Sequence, residues 1–357
     1  MTLPETLPET LPETLPGTLP GTLPAGWTLS ASAFNLTPAL VAAEQTAPDL
    51  AVSLVRRGVA DHVEVELGQL WRSFPRPARE EAEALRADLT RHGGRVSVVG
   101  VSIDDWADSR RRRTDDERFA FLEPQLRAAA ALGAAGVRLP IGQAGPVLLP
   151  RLVPLLHELD LVLFEEVQGG QTPDHPAHAE AYARIADLAD PRVRLLLDIS
   201  MLMPALPVTY LEELARAGLP GDLLHRLREQ WRDPATDAAV RELLASGGVP
   251  PTVHTLYMDL LVRFGRSEVA DLEAVLPLVS AVHLKFWDLD DSGGRVSEPL
   301  RAVGSALRRS GFAGTLCSEW GGHEWLGADP WEMTRSHLGL AREALTLDAA
   351  ARDGVGV

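Results

Sequence analysis

The sequence is poor in the features that mark secreted and membrane-spanning proteins. Its single cysteine, Cys317, excludes an intrachain disulfide and favours a reducing compartment. It contains no apolar run of the roughly 18 residues that a membrane span requires. The first residues lack a basic segment followed by an apolar one, so we expect no secretory signal and a cytoplasmic location.

Positive charge is also scarce. Lysine and arginine number 34 against 50 aspartate and glutamate residues, for a net charge of −16. This balance argues against a general nucleic-acid surface and against binding to anionic membranes. It suits a protein that binds a small molecule or a cation.

The N-terminal segment is a tetrapeptide repeat. Residues 2–25 read Thr-Leu-Pro-Glu three times, Thr-Leu-Pro-Gly twice and Thr-Leu-Pro-Ala once. A proline at every fourth position is incompatible with helices and with sheet ladders. We therefore predict that residues 1–26 form a disordered low-complexity tail; a docking arm is the functional alternative.

From Trp27 onward, apolar β-prone runs alternate with helical patterns. The eight predicted strands cover residues 29–36, 62–67, 95–103, 137–141, 161–167, 192–198, 281–286 and 314–319. The connection between the sixth and seventh is far longer than the roughly 30 residues of a strand–helix unit. It predicts a helical insert at about residues 203–279, with 268–278 as the crossover helix.

Eight strands alternating with helices predict an α/β fold, a (β/α)₈ TIM barrel over residues 27–350. The alternative is a doubly wound open sheet. No Gly-x-Gly-x-x-Gly follows any predicted strand, so the usual nucleotide site of that fold is missing. The pattern favours the barrel.

Four consecutive predicted strands carry a side chain able to bind a metal at their C-terminal ends, where barrels of this type build active sites. The fifth, sixth and eighth end in acids, and the seventh carries His283 and Lys285 two residues apart, on one face. The four candidate metal ligands are Glu166, Asp198, His283 and Glu319. Glu165 is the alternative to Glu166, because adjacent residues in a strand face opposite ways.

Three carboxylates and an imidazole suit a hard or borderline divalent ion, and not a closed thiolate zinc site. Mn²⁺ or Mg²⁺ fits this set, with Co²⁺ and Zn²⁺ as alternatives. Taken singly, each residue has a structural interpretation. Asp198 could cap a helix, His283 could be a core histidine and Glu319 could pair with an arginine.

These four residues and the His-x-Lys on strand seven resemble the xylose-isomerase-like TIM barrels, a family of sugar and sugar-phosphate isomerases and epimerases. The resemblance implies that one divalent ion, commonly Mn²⁺, binds the four residues and two oxygens of a sugar or polyol substrate. It further implies that Glu166 and Glu319 serve as acid/base residues in an enediolate mechanism. Relatives often form dimers or tetramers, so it also implies a homo-oligomer.

Two further residues are candidates for catalysis. Lys285 could stabilise a developing oxyanion, or it could form a structural salt bridge to Asp288, Asp290 or a ligand carboxylate. His323 lies in a glycine-containing stretch between two tryptophans just after strand eight, and could transfer a proton near neutral pH. The tryptophans could stack on a sugar ring or be structural.

The sequence departs from the family at two places. Met201 stands where many epimerases have a histidine, and the insert leaves the end of strand six, so it must lie near the mouth. There Met201, Met203, His254 and Tyr257 could line a larger pocket or simply pack. With the residues after strand eight, these departures resemble the catalytic subunits of C-glycoside deglycosidases, which open 3-oxo-glycosides by metal-assisted elimination.

The function predicted first is a metal-dependent sugar isomerase or epimerase. The alternative is a metal-dependent lyase of the deglycosidase or inosose-dehydratase type. A third hypothesis is a barrel that binds a sugar without catalysis.

Overall fold

A computed structural model describes residues 22–346. Eight parallel strands close into a barrel in chain order, with β8 paired to β1. The strands are β1 Trp27–Ser32, β2 His62–Glu66, β3 Arg95–Gly100, β4 Gly136–Pro140, β5 Val162–Val167, β6 Val193–Asp198, β7 Val279–Phe286 and β8 Gly314–Trp320. The predicted (β/α)₈ barrel is confirmed.

Helices surround the barrel, and most of them bury apolar residues in a hydrophobic core. They are α1 Thr37–Ala42, α2 Ala47–Arg56, α3 Leu67–Leu70, α4 Arg79–Arg91, α5 Asp115–Leu132, α6 Gly145–Leu159, α7 Ala179–Leu188, α8 Val208–Arg216, α9 Gly221–Glu229, α10 Pro234–Ala245, α11 His254–Val262, α12 Ser297–Ser310 and α13 Pro330–Thr346. Thr114 opens α5 with a capping box, in which its side chain and that of Glu117 bond to each other's backbone amides. No described helix is both long and apolar enough to cross a bilayer.

The first strand and the helices that follow it differ from the sequence prediction. β1 ends at Ser32, whose side-chain oxygen accepts a hydrogen bond from the Phe34 amide and starts a 3₁₀ turn over Ala33–Leu36. Two helices follow this turn, because Ala43 takes a left-handed conformation that ends α1. The turn brings Phe34 to the C-terminal mouth of the barrel.

The barrel interior is packed with apolar side chains directly below the C-terminal mouth. Phe164, Leu196 and Ala281 form a buried cluster with Val98 inside the sheet. Each of the first three lies two residues before Glu166, Asp198 or His283 on its strand, and therefore points the same way. These side chains form an apolar floor beneath the polar residues.

The connection from β6 to β7 folds as a helical unit with its own core. Helices α8 to α11 enclose a buried cluster that includes Tyr210, Trp231 and Phe264 and extends to Trp287, just after β7. The predicted crossover helix over residues 268–278 is wrong: only 3₁₀ turns occur, at Val269–Leu272 and Leu276–Leu278. Pro277 lacks the amide hydrogen that a longer helix there would use.

Part of the predicted domain layout lies outside the described residues. This holds for residues 1–21, most of the predicted tail, and for residues 347–350 at the end of the predicted barrel.

Buried His337 on α13, which packs behind β8, is expected to make the stability of the fold sensitive to acid. Its ring stacks on Phe286 with centroids 3.9 Å apart, and Nδ1 lies 2.8 Å from the Ser318 hydroxyl. Burial lowers the pKa of His337 to about 3. The folded state therefore resists protonation, and stability present above the ordinary pKa is lost as pH falls from about 6.5 toward 3.

We expect the wild-type protein to lose about 2 kcal/mol more unfolding free energy than His337→Phe between pH 7.5 and pH 5. Urea unfolding at the two pH values measures this difference. The substitution of an exposed histidine, His92→Asn, serves as the control and should leave the pH dependence of the wild type unchanged. Equal losses in wild type and His337→Phe would contradict the assignment.

Candidate metal centre

The four predicted ligands come together at the C-terminal mouth of the barrel. Glu166, Asp198, His283 and Glu319 each offer one ligand atom, and these atoms all lie within 4.8 Å of one another. All four side chains are buried. Strand register accounts for the convergence, because Asp198 on β6 pairs directly with His283 on β7.

Several buried polar atoms in this cluster lack a hydrogen-bond partner among the described residues. His283 Nδ1 lies 2.8 Å from Glu319 Oε2 and 3.1 Å from Glu166 Oε1. Even so, His283 Nδ1, Glu319 Oε2 and Asp198 Oδ2 make no hydrogen bond of acceptable geometry. Leaving buried polar atoms unpaired is costly. A divalent cation would satisfy all three at once, so the residues fit a metal.

Glu64 on β2 contacts the imidazole nitrogen of His283 that faces away from the cluster. It was not among the site residues predicted from the sequence. Its two carboxylate oxygens lie 3.0 and 3.2 Å from His283 Nε2, and both side chains are fully buried. Burial alone raises the pKa of Glu64, but the charges of His283 and Arg138 lower it below its ordinary value. An ionised carboxylate can only accept, so Nε2 carries the hydrogen and Nδ1 is directed at the cluster.

Arg138 on β4 joins three glutamates, and it too was missed. Its Nε donates to Glu64 Oε1 at 2.7 Å, its Nη1 donates to Glu166 Oε2 at 2.8 Å, and its Nη2 bonds to Glu66. Burial raises the pKa of Glu166, but Arg138 and His283 outweigh it and bring the value to about 2. The guanidinium thus favours the ionised forms of Glu64 and Glu166, whereas burial raises the pKa of Glu66 despite the same arginine.

A signal for both residues was present in the sequence. The segment His62–Glu66 was recognised as a strand by its period-two alternation, and its acids are Glu64 and Glu66. Arg138 is a charged residue in the middle of a strand whose neighbours are buried. A charge inside a buried strand needs a buried partner of opposite sign.

Lys285 forms an ion pair with a ligand carboxylate, one of the partners that the sequence left open. Its Nζ lies 3.2 Å from Glu319 Oε1, an ion pair with a candidate ligand. The same Nζ is 5.5 Å from the centre of the Phe34 ring. Burial raises the pKa of Glu319, but Lys285 and His283 lower it well below the ordinary value. Glu319 is therefore ionised.

His323 does not join the four candidate ligands. Its ring packs against Phe34, at 4.9 Å between centroids, and against Trp320, at 5.7 Å. Its Nε2 has no hydrogen-bond partner in the described part of the chain. Trp320 is fully buried, and the half-buried Trp325 donates to the Thr209 hydroxyl at 3.0 Å.

Glu165 lies on the opposite face of β5 from the cluster. One of its carboxylate oxygens accepts a hydrogen bond from the Gly142 amide at 2.7 Å. Burial raises the pKa of Glu165 to about 7. The structure thus directs Glu166 to the cluster and Glu165 toward the surrounding helices.

The mouth is covered on the β5–β8 side. Arg263 at the end of α11 forms ion pairs with Asp259 and with Glu324 in the turn after β8. Of the residues that could line a larger pocket or simply pack, Met201, Met203 and Tyr257 are buried and His254 is exposed. Tyr257 donates its hydroxyl hydrogen to the Val240 carbonyl.

The mouth is open on the β1–β4 side. A cavity of about 320 Å³ lies there, and Glu319 is the one candidate ligand that lines it. Phe34, Glu66 and Arg138 form other parts of its wall. A substrate in this cavity would reach the cluster through Glu319.

Glu64 should control metal affinity although it touches no metal. Glu64→Gln keeps an acceptor for His283 but removes the charge that makes the imidazole a better ligand. We expect the dissociation constant for Mn²⁺ to rise by about 10- to 100-fold. Titration of the chelator-stripped protein with Mn²⁺ measures this.

Glu66→Gln is the matched control for that experiment. Glu66 lies on the same strand and binds the same arginine, but makes no hydrogen bond to His283. It should keep wild-type Mn²⁺ affinity. Unchanged affinity in Glu64→Gln, with circular dichroism showing a folded protein, would contradict the orienting role.

Comparison with known proteins shows which fold this chain shares. No protein-family model matches the chain. The barrel is similar to a xylose isomerase domain protein from Alicyclobacillus acidocaldarius subsp. acidocaldarius, with a TM-score of 0.53 and 15% identity, covering 90% of this chain and 99% of that one. The chain thus has the fold of the xylose-isomerase-like barrels.

Comparison with curated proteins shows a more specific similarity than the fold alone. The chain is 27% identical over 329 residues to a C-glycoside deglycosidase alpha subunit of Arthrobacter globiformis, covering 90% of this chain and 93% of that protein. It is 26% identical over 319 residues to the 3′-dehydrocarminate deglycosidase alpha subunit of a Microbacterium species, covering 85% and 91%. The resemblances stated from the sequence are confirmed.

Proposed function

We propose that this chain is the metal-dependent subunit of a deglycosidase that separates a 3-oxo sugar from its aglycone by β-elimination. Two observations support this: the reported relatives, which match 85% and 90% of the chain, are deglycosidase alpha subunits, and a single candidate ligand, Glu319, faces the open cavity. The second observation carries the choice of mechanism, because elimination needs one base at the sugar.

The reaction is balanced without an oxidant or reductant. In a 3-oxo-glycoside the hydrogen on C2 is acidified by the C3 carbonyl. Glu319 removes that proton, the electron pair forms the C1–C2 double bond, and the bond from C1 to the aglycone breaks. The aglycone leaves with the bonding electrons and takes up a proton. The products are an unsaturated 3-oxo sugar and the free aglycone.

A divalent cation held by Glu166, Asp198, His283 and Glu319 would supply Lewis-acid polarisation of the carbonyl. Lys285, paired with Glu319, would add positive charge beside the developing oxyanion. His323, whose buried Nε2 has no hydrogen-bond partner among residues 22–346, is the candidate to deliver the proton to the aglycone. Mn²⁺ is the first ion to test, with Mg²⁺, Co²⁺ and Zn²⁺ as alternatives.

Isomerase or epimerase activity is the second candidate. Epimerisation with two bases would require Glu166 as well as Glu319 to face the substrate. Arg138 holds one oxygen of Glu166, and Glu166 does not line the cavity. The geometry therefore supports elimination better than two-base epimerisation.

The relatives are named alpha subunits, so we infer that this chain works with a second, different subunit. A homo-oligomer, implied by the family resemblance, is the other assembly to test. Size-exclusion chromatography with light scattering on the purified chain separates a monomer from a homo-oligomer.

The function is tested with Mn²⁺-loaded protein in D₂O. The substrates are the 3-oxo form of p-nitrophenyl glucoside, a 3-oxo C-aryl glucoside and D-fructose. Release of p-nitrophenol or of the aryl aglycone supports elimination. Deuterium exchange into D-fructose without release supports isomerisation instead. Metal binding with neither reaction would support the non-catalytic sugar-binding hypothesis.

A further inference from the structure

We propose that Glu66 and Arg138 form a hydroxyl-binding subsite for the sugar ring, on the β1–β4 side of the mouth and distinct from the metal ligands. This inference rests on the proposed function. The subsite would take a neutral, unphosphorylated sugar ring, with Phe34 as its apolar wall. It follows from the geometry of Glu66, from the unused donors of Arg138 and from the charge around the cavity.

Glu66 differs from Glu64 in its access to the cavity. Both bind Arg138, but the Glu64 side chain is 1% exposed and the Glu66 side chain is 22% exposed. Glu66 Oε1 bonds to Arg138, whereas Oε2 accepts no hydrogen bond from the described residues. A carboxylate oxygen that lines a cavity and lacks a donor is an acceptor available to a ligand hydroxyl.

Gly100 on β3 makes room for this carboxylate. It pairs with Glu66 in the strand register. A Cβ atom at position 100 would lie 2.1 Å from Glu66 Oε2 and 2.6 Å from Oε1. Any larger residue would displace the carboxylate, so the glycine keeps Glu66 directed along the cavity wall.

Arg138 supplies donors to complement that acceptor. A guanidinium has five N–H groups, and the hydrogen bonds of Arg138 to Glu64, Glu66 and Glu166 start from three different nitrogens. The N–H groups left over belong to a side chain that lines the cavity. A sugar hydroxyl both donates and accepts, so a carboxylate beside a guanidinium matches it.

The charges around the cavity disfavour an anionic ligand. Glu66 and Glu319 line it, and Arg138 already faces three carboxylates. Lys285 is paired with Glu319. A phosphate group would therefore meet two carboxylates and no unpaired cation in the described wall. Neutral hydroxyls would meet little electrostatic repulsion there.

Phe34 completes the wall. The ring lines the cavity and is held in place by the edge-to-face contact with His323, at 4.9 Å between centroids. An apolar ring face beside a polar pair is a usual arrangement for a pyranose, which has both apolar and hydroxyl faces. The cavity of about 320 Å³ suits one sugar ring.

The test uses the Mn²⁺-loaded protein and two probes, methyl 3-oxo-β-D-glucopyranoside and its 6-phosphate. Methoxide is a poor leaving group, so both serve as binding probes in calorimetry. We expect Glu66→Gln to weaken binding of the neutral probe about tenfold, since it removes a hydrogen bond to a charged group. Gly100→Ala should act in the same direction by displacing the carboxylate.

Measuring Mn²⁺ affinity distinguishes a sugar-binding role of Glu66 from a purely structural ion pair with Arg138. Glu66→Gln should leave it unchanged, whereas Glu64→Gln should weaken it. The 6-phosphate should bind the wild type at least about tenfold more weakly than the neutral probe, because of the cavity carboxylates. Unchanged sugar affinity in Glu66→Gln, or tighter binding of the 6-phosphate, would overturn the subsite.

Elimination by the wild type is scored separately with the 3-oxo p-nitrophenyl glucoside. Release of p-nitrophenol together with unchanged binding in Glu66→Gln would leave the proposed function standing and reject the subsite alone. Tenfold weaker binding in Glu66→Gln without any release would support the subsite and reject elimination. Failure of the wild type to bind either probe would reject the subsite.

Discussion

Glu319→Gln is expected to lower the rate of aglycone release by about a thousandfold, within the range typical of losing a general base. The substitution keeps the shape of the side chain and an oxygen able to bind a cation, but removes the group that accepts the C2 proton. Glu319 is buried, ionised and beside the cavity, as that role requires. The measurement is p-nitrophenol release at saturating Mn²⁺.

Glu165→Gln is the matched control. It also neutralises a buried glutamate on a barrel strand, but Glu165 faces away from the cluster and bonds to the Gly142 amide. Its activity and metal content should remain near those of the wild type. A Glu319→Gln variant that bound Mn²⁺ and kept more than about a tenth of the wild-type rate would exclude Glu319 as the base.

Asp198→Asn is expected to abolish the stabilisation of the protein by Mn²⁺. At a metal concentration 100 times the dissociation constant, wild-type binding adds about 2.7 kcal/mol to the free energy of unfolding. Asp198 Oδ2 is buried without a hydrogen-bond partner in the described structure, so it is an available ligand atom. Thermal unfolding with and without Mn²⁺, after chelator treatment, measures the shift.

Asp259→Asn is the control for this experiment. Burial raises the pKa of both Asp198 and Asp259 to about 6. Asp259 lies on α11 and pairs with Arg263, outside the cluster. It should keep the Mn²⁺-dependent rise in melting temperature. The same rise in Asp198→Asn would show that the ion binds elsewhere, and would remove the basis for the metal mechanism.

The charges of the cluster explain how so many acids can be buried together. Five carboxylates lie at the mouth, and Arg138, Lys285 and His283 oppose them. Desolvation lowers the pKa of His283, but Glu64, Glu319 and Glu166 raise it well above its ordinary value. A cation bound to His283 Nδ1 would take the place of a proton on that nitrogen, so we infer that metal binding releases a proton.

Much of the site could be predicted from local pattern. Glu166, Asp198, His283 and Glu319 were identified because each ends an apolar run, and parallel barrel strands place their C-terminal ends together. The choice between Glu165 and Glu166 could not be made by pattern alone, since both are buried. It depended on which face of β5 points inward.

Residues that act across the barrel could not be found in this way. Glu64 and His283 are 219 residues apart and bond through the barrel interior. Arg138 reaches from β4 to β2 and β5. The sequence showed these as charges in strands, but their partners depend on closure of the sheet.

The sequence by itself determined the barrel, the order of its strands and the set of four candidate ligands, because strand periodicity and chain order are local properties. Only the tertiary structure decided that Glu64 orients His283, that Lys285 pairs with Glu319, and that the mouth is open toward β1–β4. Those contacts join residues distant in sequence, and their geometry is set by the register of the closed sheet and by the packing of the β6–β7 helices.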